Sequence, residues 1–357
     1  MISYIIKKTT YGILVLWGVL TVVFFLFNVL PGDPARMLLD KREDANQLAI
    51  IKHKYGFDRS ISAQYFLYLN DVSPVSLHAK EKTAFTYLAP SKYRALTLIS
   101  FSKYDVVIKV PYLRESFVRT GKPVTSIIAN TFKNTLVLAI SSIGIALFLG
   151  LMLGVLSAMF KDTLIDKVVL FISVLGMSLP SFFASIIIAW LFGFILHSYT
   201  GLSMTGSLYE VDDYGRGSFL QLKNLILPAI TLGIRPLSVI VQLCRNSLLE
   251  VLSMDYVRTA TAKGLSKFTV LFKHALRNAL NPVVTAVSGW FASLLAGAVF
   301  VEYIFAWNGI GKEIVDALNK MDLPVVMGSV LFIASIFVII NIIVDLIYGW
   351  LDPRIRT

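Results

Sequence analysis

Charge is scarce in this chain: of 357 residues only 15% are Asp, Glu, Lys or Arg, while 56% are hydrophobic and the mean hydropathy is +0.72. That balance excludes a water-soluble globule and points to a chain that crosses a bilayer several times. Cysteine is nearly absent as well. Cys244 stands alone, so no intrachain disulfide forms, no cysteine-rich metal site exists, and burial in packing is its expected role. A phosphate-binding loop is missing: Gly121-Lys122 runs into Pro123 and Gly311-Lys312 into Glu313, and neither completes Gly-x-x-x-x-Gly-Lys-Ser/Thr. If the chain works in active transport, another chain hydrolyses the ATP. It also lacks His-Glu-x-x-His, paired carboxylates inside an apolar run and clustered His and Cys, which argues against an integral-membrane enzyme.

What is present is lopsided. The formal net charge of +11 invites a nucleic-acid reading, but membrane-length apolar runs are foreign to a basic DNA-binding domain, which gathers its Lys and Arg on one polar surface. The bilayer is the expected partner, and nucleic acid is not.

Apolar patterning predicts an all-α polytopic membrane protein with six transmembrane helices and a large external loop domain after the first. Residues 1–30 hold a basic tail and the first span, Tyr11 to Leu30, which is long for a signal-peptide core and is followed by no small-x-small cleavage site. Pro31-Gly32-Asp33-Pro34 then breaks the helix and starts another, with Asp33 as N-cap and Pro34 at the first helical position. Residues 31–133 are too polar for lipid and read as an external domain. Within it, residues 72–118 read as an insertion, either an appended module or a plain spacer, and alternation in Tyr104 to Val110 predicts a strand.

Residues 134–357 carry the remaining spans: Leu136 to Phe160, Val168 to Leu196, Asn224 to Leu252, Val283 to Val301 and Pro324 to Trp350. Gly150 and Gly154 in the second span have the Gly-x-x-x-Gly spacing that lets a neighbouring helix come close. Pro180, between Leu179 and Ser181, predicts a kink in the third. His197 at its exit reads as interfacial. The fourth span holds Pro228, Pro236 and two arginines. Arg245 is near enough to the helix end to snorkel, whereas Arg235 lies deeper and either lines a pathway or pairs inside the bundle. Pro180, Ser181, Arg235 and Pro236 are therefore the candidates for a translocation pathway. Glu302 to Leu323 reads as a turn and an interfacial amphipathic helix anchored by Trp307.

Between the fourth and fifth spans, residues 253–282 form a polar, basic interlude, DYVRTATAKGLSKFTVLFKHALRNALNP from Asp255 to Pro282. Its first helix runs out at Lys263, Gly264 stands where a left-handed cap is wanted, Ser266 can cap a second helix from Lys267, and Asn281-Pro282 would end it. With the N-terminus inside, eleven basic side chains fall on one side: Lys7, Lys8, Lys161, Lys167, Arg258, Lys263, Lys267, Lys273, Arg277, Arg354 and Arg356. The two shorter external loops hold only Arg216, Lys223, Lys312 and Lys320, so both termini and the interlude are expected in the cytoplasm.

DYVRTATAKGLS followed by HALRNAL and a proline resembles the cytoplasmic loop of binding-protein-dependent ABC importer permeases, in the dipeptide, oligopeptide and nickel branch. Gly264 matches the family's loop glycine; Arg258-Thr259-Ala260 stands in place of Glu-Ala-Ala and Leu276-Arg277 in place of Leu-Pro. Further resemblances follow in the family's order: PGDP from Pro31, Tyr55 to Asp71, RTGKPV from Arg119, SLPSFF from Ser178, Trp307-x-Gly309-x-Gly311 and LDPR from Leu351. The resemblance implies an inner-membrane permease subunit, not an enzyme, with no catalytic, metal or cofactor site of its own. ATP and Mg would be used by cytoplasmic ABC ATPases docked on Asp255, Tyr256, Arg258, Thr259, Ala260, Lys263, Gly264, Leu265, His274 and Arg277. A second homologous permease or a second copy, and an external substrate-binding protein, would complete the assembly. Peptides, nickel or conjugated peptides are the implied cargo. The alternative is an ion-coupled secondary transporter, which wants midplane carboxylates and finds only Asp345 as a candidate.

Overall fold

The computed structural model describes residues 2–29, 45–90, 92–211 and 217–351. Pro31 to Pro34 and Asp352 to Arg354 lie outside the described residues, and with them the expected PGDP turn and most of the LDPR motif. The chain divides into two compact units. One comprises residues 7–130 and 314–334; the other comprises residues 131–313 with 1–6 and 335–357.

The helix α1 (Ile2–Val29) begins earlier than the predicted first span because the residues before Tyr11 continue the apolar pattern on either side of two lysines. Two helices follow in the first unit, α2 (Ala45–Tyr55) and α3 (Ile61–Val72), the latter capped by the Ser60 hydroxyl, which accepts from Ala63 N at 3.4 Å. Then comes a three-stranded antiparallel sheet of β1 (Val75–Ala79), β2 (Ala95–Ser100) and β3 (Tyr104–Lys109), in the order β1-β3-β2. The predicted strand is β3, the central one. The face that carries Ser76, His78, Val107 and Lys109 is buried, against the usual preference for apolar burial.

A polar network explains that inversion. Asp71 accepts from Tyr93 Oη and Arg114 Nε, each at 2.8 Å, and its carbonyl accepts from the Lys109 ammonium. His78 is held between Thr86 O at 2.9 Å and the Ser76 hydroxyl at 3.0 Å. Phe24 packs with Tyr65 and Tyr68 at centroid distances of 5.3 and 6.2 Å, tying the end of α1 to α3. Each such aromatic pair contributes about 1 kcal/mol beyond burial. At the far end of the unit Asp322 is buried and accepts from the Ser116 hydroxyl and, at 2.9 Å, from Phe117 N.

Next come α4 (Val124–Met159), α5 (Leu164–Ser178), α6 (Ser181–Ile188, continued as a π-helix over Ala189–Ile195), α7 (His197–Thr200), the hairpin β4 (Tyr209–Val211) and β5 (Ser218–Leu220), and α8 (Lys223–Leu252). Then follow α9 (Asp255–Ala262), α10 (Lys267–Thr269, continued as a π-helix over Val270–Ala275), α11 (Leu276–Ala279), α12 (Asn281–Gly297), α13 (Val299–Ile304), α14 (Ile310–Asn319) and α15 (Leu323–Leu351).

Among the described residues, four helical stretches are long and apolar enough to cross a membrane: Ile6–Phe27, α4, α8 and Leu323–Leu346. The expected third span is a pair of helices bent by 109°. Leu179 and Pro180 both take extended backbone, with ψ of 124° and 139°, so the chain breaks where a kink was expected. Proline excludes the preceding residue from the helical region, and two successive extended residues end a helix. Pro228 and Pro236, by contrast, lie inside an unbroken α8. The expected fifth span is α12, 17 residues long, followed after Ala298 by α13.

The Gly-x-x-x-Gly pair does what its spacing predicts. A Cβ at Gly150 would lie 2.7 Å from Ile240 Cγ2, and one at Gly154 would lie 2.8 Å from Cys244 Cβ, so α4 and α8 touch through bare backbone. Cys244 is buried at that contact.

Candidate functional site

The interlude folds as a short helical excursion. Asp255 sits in the first turn of α9, where the helix dipole favours an acid. After α9 the chain turns at Gly264, whose φ of +80° places it in the left-handed region that side chains avoid. The Ser266 hydroxyl then accepts from Thr269 N at 3.3 Å and starts α10, as the local pattern predicts. Asn281-Pro282 does not end this second arm. It opens α12, with proline in the first turn, where its missing N–H costs nothing, and the arm ends at Ala279.

Val257, Ala260, Val270, Leu271, Ala275 and Ala279 bury together against Ala158, Leu248 and Val251. Asn278 Nδ2 donates to Tyr256 Oη at 2.7 Å, closing one arm on the other. The excursion is therefore a packed element with an outer surface of its own. Of the residues assigned to docking, Asp255, Tyr256, Arg258, Thr259, Lys263, Gly264, Leu265 and Arg277 are exposed, His274 is half-buried and Ala260 faces the interior. The Arg258–Asp255 pair, 3.7 Å apart and exposed, contributes little to stability. Two apolar side chains not singled out in the sequence join the outer surface. Phe268 is 69% exposed, and its ring lies 4.4 Å from that of Phe272.

Behind the excursion, Arg245 does not snorkel. It forms an ion pair with Asp166 on α5, while Asp166 also accepts from the Ser157 hydroxyl at 2.5 Å and Asp162 N at 2.9 Å. The two charges are 14% and 3% exposed, so the pair is a structural tie between α5 and α8.

The pathway candidates separate. Pro180 stands exposed at the α5–α6 break, Ser181 is half-buried with its carbonyl accepting from Ser185 Oγ at 2.8 Å, and Pro236 is buried within α8. Arg235 is exposed, and its guanidinium lies 5.9 Å from the ring centre of Trp290 on α12. Among the described residues no carboxylate forms an ion pair with it.

Trp307 is not an interfacial anchor. It is 0% exposed and donates from Nε1 to Asn134 O at 3.1 Å. Beside it, Glu302 is fully buried and accepts from Thr135 Oγ1 at 2.6 Å, Gly311 N at 2.7 Å and Lys312 N at 3.1 Å, capping the first turn of α14. Gly309 and Gly311 leave the room this carboxylate occupies. An acid at a span's end, nine residues before Gly311, was the one signal in the sequence for this hub.

A family profile described as "Binding-protein-dependent transport system inner membrane component" matches residues 150–357. Another, "Binding-prot-dependent transport system membrane comp, N-term", matches residues 1–84. The chain is 32% identical over 369 residues to "Dipeptide transport system permease protein DppB" of Alkalihalophilus pseudofirmus, covering 100% of both chains. It is 34% identical over 370 residues to "Di/tripeptide transport system permease protein DppB" of Pseudomonas aeruginosa, covering 100% of this chain and 99% of the relative. "Glutathione transport system permease protein GsiC" of Salmonella typhi is 32% identical over 356 residues, with 100% and 99% covered. Taken with the apolar helices, these likenesses place the chain in the family of binding-protein-dependent transport system inner membrane components, as a multi-pass permease subunit of an ABC importer.

Proposed function

We propose that this chain is the permease subunit of an ATP-driven importer of di- or oligopeptides, or a related small solute, received from an external binding protein. The observation that carries the reading is end-to-end likeness to chains named for dipeptide, di/tripeptide and glutathione transport. A second homologous permease, or a second copy of this chain, completes the membrane part, and both termini lie in the cytoplasm, as the basic bias favours. The chain binds no cofactor itself; ATP and Mg are used by the ATPase subunits.

Those ATPases grip the excursion between Asp255 and Pro282. Its interior is packed and its outer face offers Tyr256, Leu265, Phe268 and Phe272 beside Arg258, Lys263 and Arg277, which suits a helix-in-groove contact. Closure of the ATPases would move this element as a body and, through α8 and α12, switch access across the membrane at Pro180, Ser181, Arg235 and Pro236. Nothing of the chain lies within 4 Å of where a Cβ at Gly264 would sit, so a side chain there strains the backbone without a clash. Gly264→Val in the reconstituted complex should leave ATP hydrolysis running while uptake falls; fully coupled transport by that variant would sink the docking assignment.

A further inference from the structure

Arg235 lies two or three residues from the midpoint of the 30-residue helix α8, about 4 Å along its axis. The hydrocarbon core is about 30 Å thick, so the guanidinium is at membrane depth, where an exposed charge must face water or a counter-charge. Its contact within the chain is the Trp290 ring, which holds the cation in place without neutralising it.

The surroundings are those of a lined passage. Gln242 and Asn246 follow Arg235 at seven and eleven residues on the same face of α8, the first half-buried and the second exposed, so a polar track leads from the midplane toward the end of the helix that enters the excursion. On α12, Thr285, Gly289 and Ser293 recur every four residues and are exposed, and a Cβ at Gly289 would meet nothing within 4 Å. The wall beside Trp290 is thus small and open. A lipid-facing surface would carry large apolar side chains there instead.

From this we infer that Arg235, poised on Trp290, is a carboxylate-binding station for the cargo at the membrane midplane, one that favours substrates with a free carboxylate over the same substrates capped as amides. Guanidinium and carboxylate match as a planar two-pronged pair, which glutamine cannot reproduce and lysine reproduces only as a point charge. The inference rests on the peptide-permease reading.

The test is uptake of alanyl-alanine and of its C-terminal amide by proteoliposomes holding the complete transporter and its binding protein, with Arg235, R235Q and R235K compared. Any preference of the binding protein is common to all three and drops out of the comparison. R235Q is expected to narrow the acid-to-amide uptake ratio about tenfold by slowing the acid alone, with R235K between the two. If R235Q does not assemble, R235K carries the test, and an unchanged ratio in it overturns the inference. Equal slowing of both peptides, or failure of both variants to co-purify with their partner subunits, would overturn it too, making Arg235 a structural or intersubunit residue. A wild-type complex that transports neither peptide would instead bring down the peptide reading and this inference with it.

Discussion

Arg245 holds Asp166 with two parallel hydrogen bonds, Nε to Oδ1 at 2.7 Å and Nη2 to Oδ2 at 2.6 Å. The residues are 79 apart in sequence, and the pair joins the first turn of α5 to α8 one to two turns before the excursion. Removing one partner leaves the other charge buried and alone, which costs about 3 kcal/mol or more. Asp166→Asn and Arg245→Gln should each lower the melting temperature in detergent by similar amounts. The double variant should be less damaged than the sum of the two, and additive losses would show that the pair is not the tie described here.

Glu302 and Gly311 make a second relationship of the same kind. A Cβ at Gly311 would lie 2.6 Å from Val299 Cα and 2.9 Å from Glu302 Oε2, so the capping carboxylate and the side chain cannot share the space. Gly311→Ala and Glu302→Gln should therefore converge on one defect, faster hydrogen exchange at the start of α14, at a cost of about 1–3 kcal/mol for the disturbed buried acceptor. Slow exchange there in either variant would argue that the cap is dispensable.

The external module should respond to pH through His78. Burial lowers its pKa below the usual imidazole range, and the neutral ring already has both nitrogens engaged, by Thr86 O and the Ser76 hydroxyl. The unfolded module binds a proton near pH 6.5 while the folded one resists it, so the unfolded state carries more protons in that window and stability falls as pH drops. Hydrogen exchange in β1 and β3 should quicken between about pH 7.5 and about pH 5.5, and His78→Gln should flatten the trend. A flat profile in the unaltered protein would remove His78 from this role.

The sequence by itself determined the membrane class, the position of the apolar segments and the turn chemistry of the excursion. Those features are local: hydropathy is a property of a window, and Gly264 and Ser266 act on backbone within a few residues of themselves. Likewise β3 was legible because alternation over six residues needs no distant partner to be recognised. Tertiary structure decided what depended on residues far apart. Trp307 looked like an interfacial anchor until Asn134, 173 residues away, received its N–H; Arg245 looked like a snorkelling end until Asp166 met it. Pro180 and Pro236 are the same residue type in apolar helices, yet one stands at a break and the other is buried in an unbroken helix, because tolerance of a proline depends on neighbours that a sequence window does not contain. Arg235 shows the division within one residue: its cost in lipid was readable from the chain, while its place against Trp290 came from the packing of two helices.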